Sequence, residues 1–361
     1  MTRNARVIAF YLPQFHPIPE NDKWWGAGFT EWTNVGKAQK CFSGHYQPRV
    51  PRDLGYYDLR NPETRQAQAE MAVTYGIEGF CYWHYWFGNG KRVLERPFQE
   101  VLASRTPDFP FCLGWANESW KGFAHGLDAR EVLIEQLYPG VEDYTKHFYE
   151  ILPAFKDDRY IRVDGCPLFF IYRPLEHPEM KEFISLWQEL ARVSGLKGVY
   201  FVAQKTVYDK NEEFYRQGFD ALYPVRIAAF LSARSEHPFY RWYDRVRRRV
   251  SRVPNMTTYS QAKKHFLTDE MYQERVYPGL YPNWDHSPRT GSKGVIIHDS
   301  TPELFRQHAL EVLDRVKDKP FDQRIVFLKS WNEWAEGNYI EPDIKFGRQY
   351  LEVIRSVFVE G

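Results

Sequence analysis

Eight short apolar runs, each too compact for a helix, recur along the chain, and helical patterns fill most of the gaps between them. The runs are Val7–Leu12, Gly79–Tyr85, Phe111–Trp115, Leu168–Tyr172, Val199–Ala203, Ala221–Tyr223, Tyr277–Tyr281 and Ile325–Trp331. Helical patterns cover about 62–75, 92–104, 142–156, 178–194, 209–217, 302–317 and 346–358. The first opens on Asn61-Pro62-Glu63, an Asn cap with Pro at the first helical position. Eight strand runs alternating with helices in most of the gaps predict an α/β fold, a (β/α)8 TIM barrel with inserted loops. At 361 residues there is room for one such barrel, so residues 1–361 are read as a single domain.

Two insertions interrupt the alternation. Residues 17–61 carry Trp24, Trp25 and Trp32 with several glycines and prolines, and read as a cleft wall or lid. Residues 226–275 contain a basic helical decoration, 239–252, with Phe239, Trp242, Val246 and Val250 on one face and Arg241, Arg245, Arg247, Arg248 and Arg249 opposite. A solvated basic face is one reading of that helix; peripheral contact with an anionic membrane or a pyrophosphate-linked glycan is the other.

The ends of the runs matter more than their middles. They close in Gln14-Phe15-His16, Trp83-His84-Tyr85-Trp86, Trp115-Ala116-Asn117-Glu118, Tyr172-Arg173, Gln204-Lys205, Trp284-Asp285 and Trp331-Asn332-Glu333. Polar and aromatic side chains thus gather at strand carboxyl ends, where barrel enzymes build their active sites. Aromatic residues reach 17% of the chain, with 12 Trp and 24 Tyr. Some of these rings must fill the core; a surplus beside polar groups suits the flat C–H faces of sugars.

The segment Leu328-Lys329-Ser330-Trp331-Asn332-Glu333-Trp334-Ala335-Glu336-Gly337-Asn338-Tyr339-Ile340-Glu341-Pro342 is the most informative. Glycosidic cleavage needs one carboxyl group to protonate the leaving oxygen and another as base or nucleophile. Apolar rings beside a carboxyl raise its pKa, as a general acid requires. Glu-x-x-Glu is common on helix surfaces, but here it follows a strand, so Glu333 and Glu336 are the catalytic candidates. Candidate substrate contacts are Tyr11, His16, Trp32, Trp83, His84, Trp86, Trp115, Asn117, Glu118, Tyr172, Gln204, Trp284, Asp285, Arg289, Trp331, Asn332 and Glu341. Each has a plainer reading: Asn117-Glu118 as a capped turn, His16 and His84 as satisfied core histidines, Asp285 and Arg289 as a structural ion pair.

A formal charge of +1 gives no sign of a nucleic-acid partner. Cys41, Cys81, Cys112 and Cys166 lack metal-ligand spacing, so no metal is expected, and free thiols point to a reducing compartment. No GxGxxG, GxxxxGK[ST], HExxH, GxSxG or DxD motif occurs in the required setting, and no cofactor is expected. Val7–Leu12 is too short for a signal-peptide core, and no run approaches the roughly 20 apolar residues of a membrane span. A cytoplasmic location is the expectation.

Tyr11-Leu12-Pro13-Gln14-Phe15-His16-Pro17-Ile18-Pro19-Glu20-Asn21-Asp22, then Trp24-Trp25-Gly26 and Phe29-Thr30-Glu31-Trp32-Thr33-Asn34-Val35, resembles the start of the WbsX-type family. Trp115–Glu118 and Trp331–Pro342 match the same pattern, so the resemblance spans almost the whole chain. That family, often labelled glycosyltransferases of bacterial polysaccharide clusters, is similar to the family 99 glycoside hydrolases, the endo-α-mannosidases and endo-α-mannanases. The resemblance implies a (β/α)8 barrel, no metal and retention of anomeric configuration. It implies that Glu333 deprotonates the sugar's 2-hydroxyl, which attacks the anomeric carbon, while Glu336 acts as general acid and then base. Three functions are therefore in play. The first is a retaining hydrolase or transglycosylase on a bacterial surface polysaccharide or its precursor, which includes lipid-linked forms. The second is a glycosyltransferase of O-antigen or capsule synthesis, and the third a non-catalytic glycan-binding protein.

Overall fold

The computed structural model describes residues 3–122, 131–236 and 254–359. At its centre are eight parallel strands: β1 (Arg6–Tyr11), β2 (Gly79–His84), β3 (Phe111–Trp115), β4 (Cys166–Ile171), β5 (Tyr200–Lys205), β6 (Ala221–Pro224), β7 (Gly279–Leu280) and β8 (Ile325–Leu328). The ladder runs β7–β8–β1–β2–β3–β4–β5–β6. The remaining seam is one parallel bridge, Leu222 to Val276, where Leu222 N donates to Arg275 O and Tyr277 N to Leu222 O, both at 2.8 Å. The chain is thus the nearly closed (β/α)8 barrel that the alternation predicts. The seam strand β7 keeps only two paired residues. Its Gly279 is required by space, since a Cβ there would lie 2.3 Å from Tyr281 Oη.

The barrel interior is aromatic rather than the Val, Ile and Leu usual for such cores. Phe10 stacks on Trp83 with centroids 4.7 Å apart and on Phe327 at 5.3 Å, and meets Phe170 edge-on at 4.9 Å. Each such pair adds roughly 0.5–1.5 kcal/mol beyond simple burial. A large part of the aromatic surplus is therefore core, including the fully buried Trp115, Trp187, Trp331 and Trp334.

Helix Pro62–Thr74 starts where its cap predicts, with Asn61 Oδ1 accepting from Glu63 N at 3.2 Å. Helix Arg96–Ser104 begins later than the pattern at 92, because Leu94 takes a left-handed φ of 60° and Pro97 sets the first turn. The first insertion is ordered and carries helices Pro19–Trp25 and Glu31–Gly36, the second capped by Thr30. From the second insertion, Asn255–Thr258 pairs in parallel with Val295–His298, which pairs antiparallel with Trp284–Asp285. That side sheet has no counterpart in the sequence reading, since Trp284–Asp285 is too short to show a period. The basic helix 239–252 lies outside the described residues. Among the described residues no helix is long and apolar enough to cross a membrane.

Candidate active site

Beyond β8 the chain makes a tight hairpin. Asn332–Glu333 pairs antiparallel with Asn338–Tyr339, and the 3-10 turn Trp334–Glu336 joins them. Gly337 closes that turn at φ 54°, and a Cβ there would come within 2.6 Å of Asp285 Cβ, so only glycine fits. The three-residue spacing of the two glutamates is the span of this turn. Ser330 Oγ accepts from Glu333 N at 3.0 Å and donates to Asn338 O at 2.9 Å, bracing the hairpin base. Asn332 pins it to the end of β1, accepting from Leu12 N at 2.8 Å and donating to Leu12 O at 3.1 Å.

Glu333 and Glu336 both line a cleft of about 830 Å³. Trp83, Tyr85, Trp120, Tyr172 and Trp284 supply ring walls, and Glu118, Arg173, Glu176, Gln204, His286, Arg289 and Lys329 supply polar groups. Glu333 is 5% exposed and accepts from Trp83 Nε1 at 2.8 Å and Asn338 Nδ2 at 3.3 Å. Burial pushes its carboxyl above the ordinary range; Lys329 opposes this, and the charge of Glu336 adds to it. Glu336 is ion-paired with Arg289 Nη1, and His286 Nε2 lies 3.9 Å away. His286 is pushed down to about 4 by burial and then by Arg289, so it is neutral at pH 7.

Arg289 has a second partner. Glu31, fully buried in the first insertion, places Oε1 3.1 Å from Arg289 Nη2. Burial works against the guanidinium charge, but Glu31, Glu336 and Glu333 together hold its pKa above the usual value. Burial raises the Glu31 carboxyl, opposed by Arg289.

Of the residues singled out from sequence, the structure brings Trp83, Glu118, Tyr172, Gln204, Trp284 and Arg289 to the cleft with the glutamate pair. The others lie behind its walls. Tyr11 bonds Gln68 at 2.7 Å against helix Pro62–Thr74, and His16 contacts Pro13 O at 3.0 Å. Trp32 packs between Phe15, Tyr57 and Trp334. His84 and Trp86 turn outward because successive strand residues point to opposite faces. His84 shares a 2.8 Å hydrogen bond with His147, burial pushing it down to about 3, and Trp86 donates to Asp143 at 2.9 Å. Trp115 donates to Trp86 O, and Asn117 accepts from Arg173 N at 2.7 Å, tying β3 to β4. Asp285 takes bonds from His45 at 2.8 Å and Gln47 at 2.6 Å and fastens the first insertion to the side sheet. Trp331 is sealed against Phe80, and Asn332 serves the hairpin. Glu341 is buried under Trp334, Gln68 and Tyr57, which donate to it at 2.6, 2.7 and 2.9 Å.

Glu31, Tyr85, Trp120, Arg173 and Lys329 were not singled out. Period-two alternation within Trp83-His84-Tyr85-Trp86 was a signal for Tyr85. Glu31 offered none.

The family model described as Glycosyltransferase WbsX matches residues 7–354. Two curated relatives from Xanthomonas campestris pv. campestris, each described as uncharacterized protein WxcX, are 36% and 37% identical over 378 aligned positions. These alignments cover 100% of this chain and 50% of each relative, so the chain spans half the length of the curated relatives it matches. Among solved structures, a glycoside hydrolase-like protein superposes with TM-score 0.62 at 16% identity, covering 100% of this chain and 95% of that one. The GH99 endo-alpha-mannosidase from Bacteroides thetaiotaomicron does so with TM-score 0.57 at 15% identity, covering 97% and 96%. At these identities the likeness shows the fold.

Proposed function

This chain belongs to the WbsX glycosyltransferase family, and from that premise we propose that it is a single catalytic domain cleaving or transferring glycosides with retention, on a bacterial surface polysaccharide or its precursor. The observation that carries this reading is the hairpin after β8, which turns Glu333 and Glu336 toward one ring-walled cleft. Glu333, buried against Trp83 and Lys329, takes the proton of the sugar's 2-hydroxyl as that oxygen attacks the anomeric carbon. Glu336 gives a proton to the departing oxygen and then, ionised beside Arg289, takes one from the incoming water or acceptor hydroxyl. That incoming oxygen bonds to the anomeric carbon and opens the epoxide-like ring, whose 2-oxygen recovers its proton from Glu333. This substrate-assisted route lies outside the two usual carboxylate geometries. The likeness in fold to an endo-alpha-mannosidase makes an α-mannoside a reasonable first substrate to try.

The family description favours a second reading, a transferase using a nucleotide- or lipid-linked donor. Against it, among the described residues each guanidinium lining the cleft already has a carboxylate: Arg289 has Glu336 and Glu31, and Arg173 has Glu118 at 3.1 Å. A diphosphate would have to displace one of them or turn to the ammonium groups of Lys121 and Lys329, the latter beside the Glu333 charge. Incubation with nucleotide sugars on one side, and with aryl α-mannosides and surface polysaccharides on the other, separates the readings. Turnover only of nucleotide sugars would overturn the hydrolase; binding without turnover of either kind would leave a glycan-binding protein.

A further inference from the structure

Lys329 is 8% exposed and lines the cleft beside Glu333. Its Nζ stands 5.9 Å from the ring centroids of Phe10, Trp83 and Trp284. The nearest carboxylate oxygen, Glu333 Oε2, is 3.7 Å away, beyond hydrogen-bond length. Among the described residues no acceptor takes a hydrogen bond from Nζ. An ammonium carries three donors, and leaving them unmet in a ring-walled pocket is costly. Its acceptor must come from the open side, which is the cleft.

The same holds for Glu333. Oε1 takes the Trp83 bond, while Oε2 has only the longer 3.3 Å contact from Asn338 and keeps acceptor capacity toward Lys329. An oxygen about 2.8 Å from both Nζ and Oε2 bridges the gap between them.

We propose that Lys329 and Glu333 form a clamp for one ring hydroxyl of the substrate, which donates to Glu333 Oε2 and accepts from Lys329 Nζ. This rests on the proposed placing of sugar in the cleft and adds to it a substrate-contacting lysine and a selection rule. A hydroxyl both donates and accepts, and so satisfies both partners. A deoxy position does neither. An O-methyl group cannot donate to Glu333, and an acetamido nitrogen donates but accepts nothing from Lys329. A carboxylate or phosphate would meet the Glu333 charge. The clamp therefore selects sugars with a free hydroxyl at that position, which on the proposed chemistry is carbon 2. Sites built to bond a hydroxyl reject analogues that lack it, because their own polar groups are then left unpaired.

The test is ligand-observed NMR on the full chain with methyl α-mannoside, α-glucoside and α-galactoside, their 2-deoxy counterparts and the 2-acetamido sugars. The wild type should bind at least one 2-hydroxy sugar about tenfold or more tightly than its 2-deoxy and 2-acetamido forms. Lys329→Met, which leaves only Glu333 to read the hydroxyl, should lose most of that preference, and Lys329→Gln, which restores a donor, should regain part of it. Thermal melts confirm that each variant is folded. A wild type with no preference in any set, or a preference undiminished in Lys329→Met, overturns the clamp. A protein that cleaves glycosides yet shows no preference sinks the clamp alone; one that shows the preference yet cleaves nothing supports the clamp and sinks the hydrolase.

Discussion

Glu31 and Arg289 meet at 3.1 Å although 258 residues separate them, and the same guanidinium holds Glu336 with its other amino group. One carboxylate belongs to an insertion after β1, the other to the hairpin after β8. Arg289 is therefore a strut whose position depends on the insertion being folded in place.

Glu31→Gln keeps the shape and removes the charge that anchors the strut. With Glu31 gone, Arg289 is free to shift wholly onto Glu336. On any glycoside that the wild type cleaves, we expect kcat to fall about 10- to 100-fold, roughly 1.4–2.7 kcal/mol in the barrier, with KM changing less. The pH profile of kcat should also move. Unchanged kcat with a lowered melting temperature would reduce Glu31 to a structural role.

Glu336→Gln should cripple substrates with poor leaving groups far more than activated aryl glycosides, since only the former need the departing oxygen protonated. Losses of equal size on both kinds would remove Glu336 from the acid role. Arg289 remains in place in this variant, with Glu31 as its partner, so misfolding of the strut is not the expected cause.

The barrel was legible because periodicity and punctuation are local properties: Asn61-Pro62 caps its helix as read, and β1 to β5 fall on their apolar runs. Which face a strand-end residue shows was less so. His84 and Trp86 were grouped with Trp83, yet alternation sends them into the helical layer around His147 and Asp143. Asn332 and Glu341 share the informative segment with the glutamate pair, but the hairpin commits them to Leu12 and to Tyr57 and Gln68. Glu31 is the opposite case. Its role comes from a contact 258 positions away, and no local pattern encodes such a contact.

Glu341 yields a pH prediction. Burial, the largest influence, pushes its carboxyl up to about 7 despite three donors that favour the ionised form. An unfolded glutamate titrates near 4.3, so the folded chain holds this proton over the window from about 4.3 to 7. The native state then binds more protons than the unfolded one, and stability falls as pH rises through that window. The contribution is on the order of 3 kcal/mol. Urea midpoints of Glu341→Gln, whatever its absolute stability, should fall less steeply between pH 5 and 8 than those of the wild type. Parallel slopes would show that Glu341 titrates normally.

Glu333 is where the proposed chemistry is most exposed to test. As a direct nucleophile it would form an ester with the anomeric carbon, and a 2-deoxy-2-fluoro glycoside with a good leaving group should trap that ester. In the substrate-assisted route Glu333 only receives a proton, and the attacking atom is the sugar's own 2-oxygen, already held beside the carbon it attacks. Such a step is intramolecular and needs little further loss of freedom. The buried setting suits this: a carboxyl with its pKa raised by burial is a better base than an ordinary one once ionised, and Trp83 fixes its orientation. Replacing the 2-hydroxyl by fluorine or hydrogen removes the nucleophile itself, so turnover should fall below detection and no adduct should form. Mass spectrometry of the intact protein after incubation with the fluoro glycoside decides between the two. A mass increase of one glycosyl unit that maps to Glu333 would establish the covalent route and overturn the substrate-assisted one.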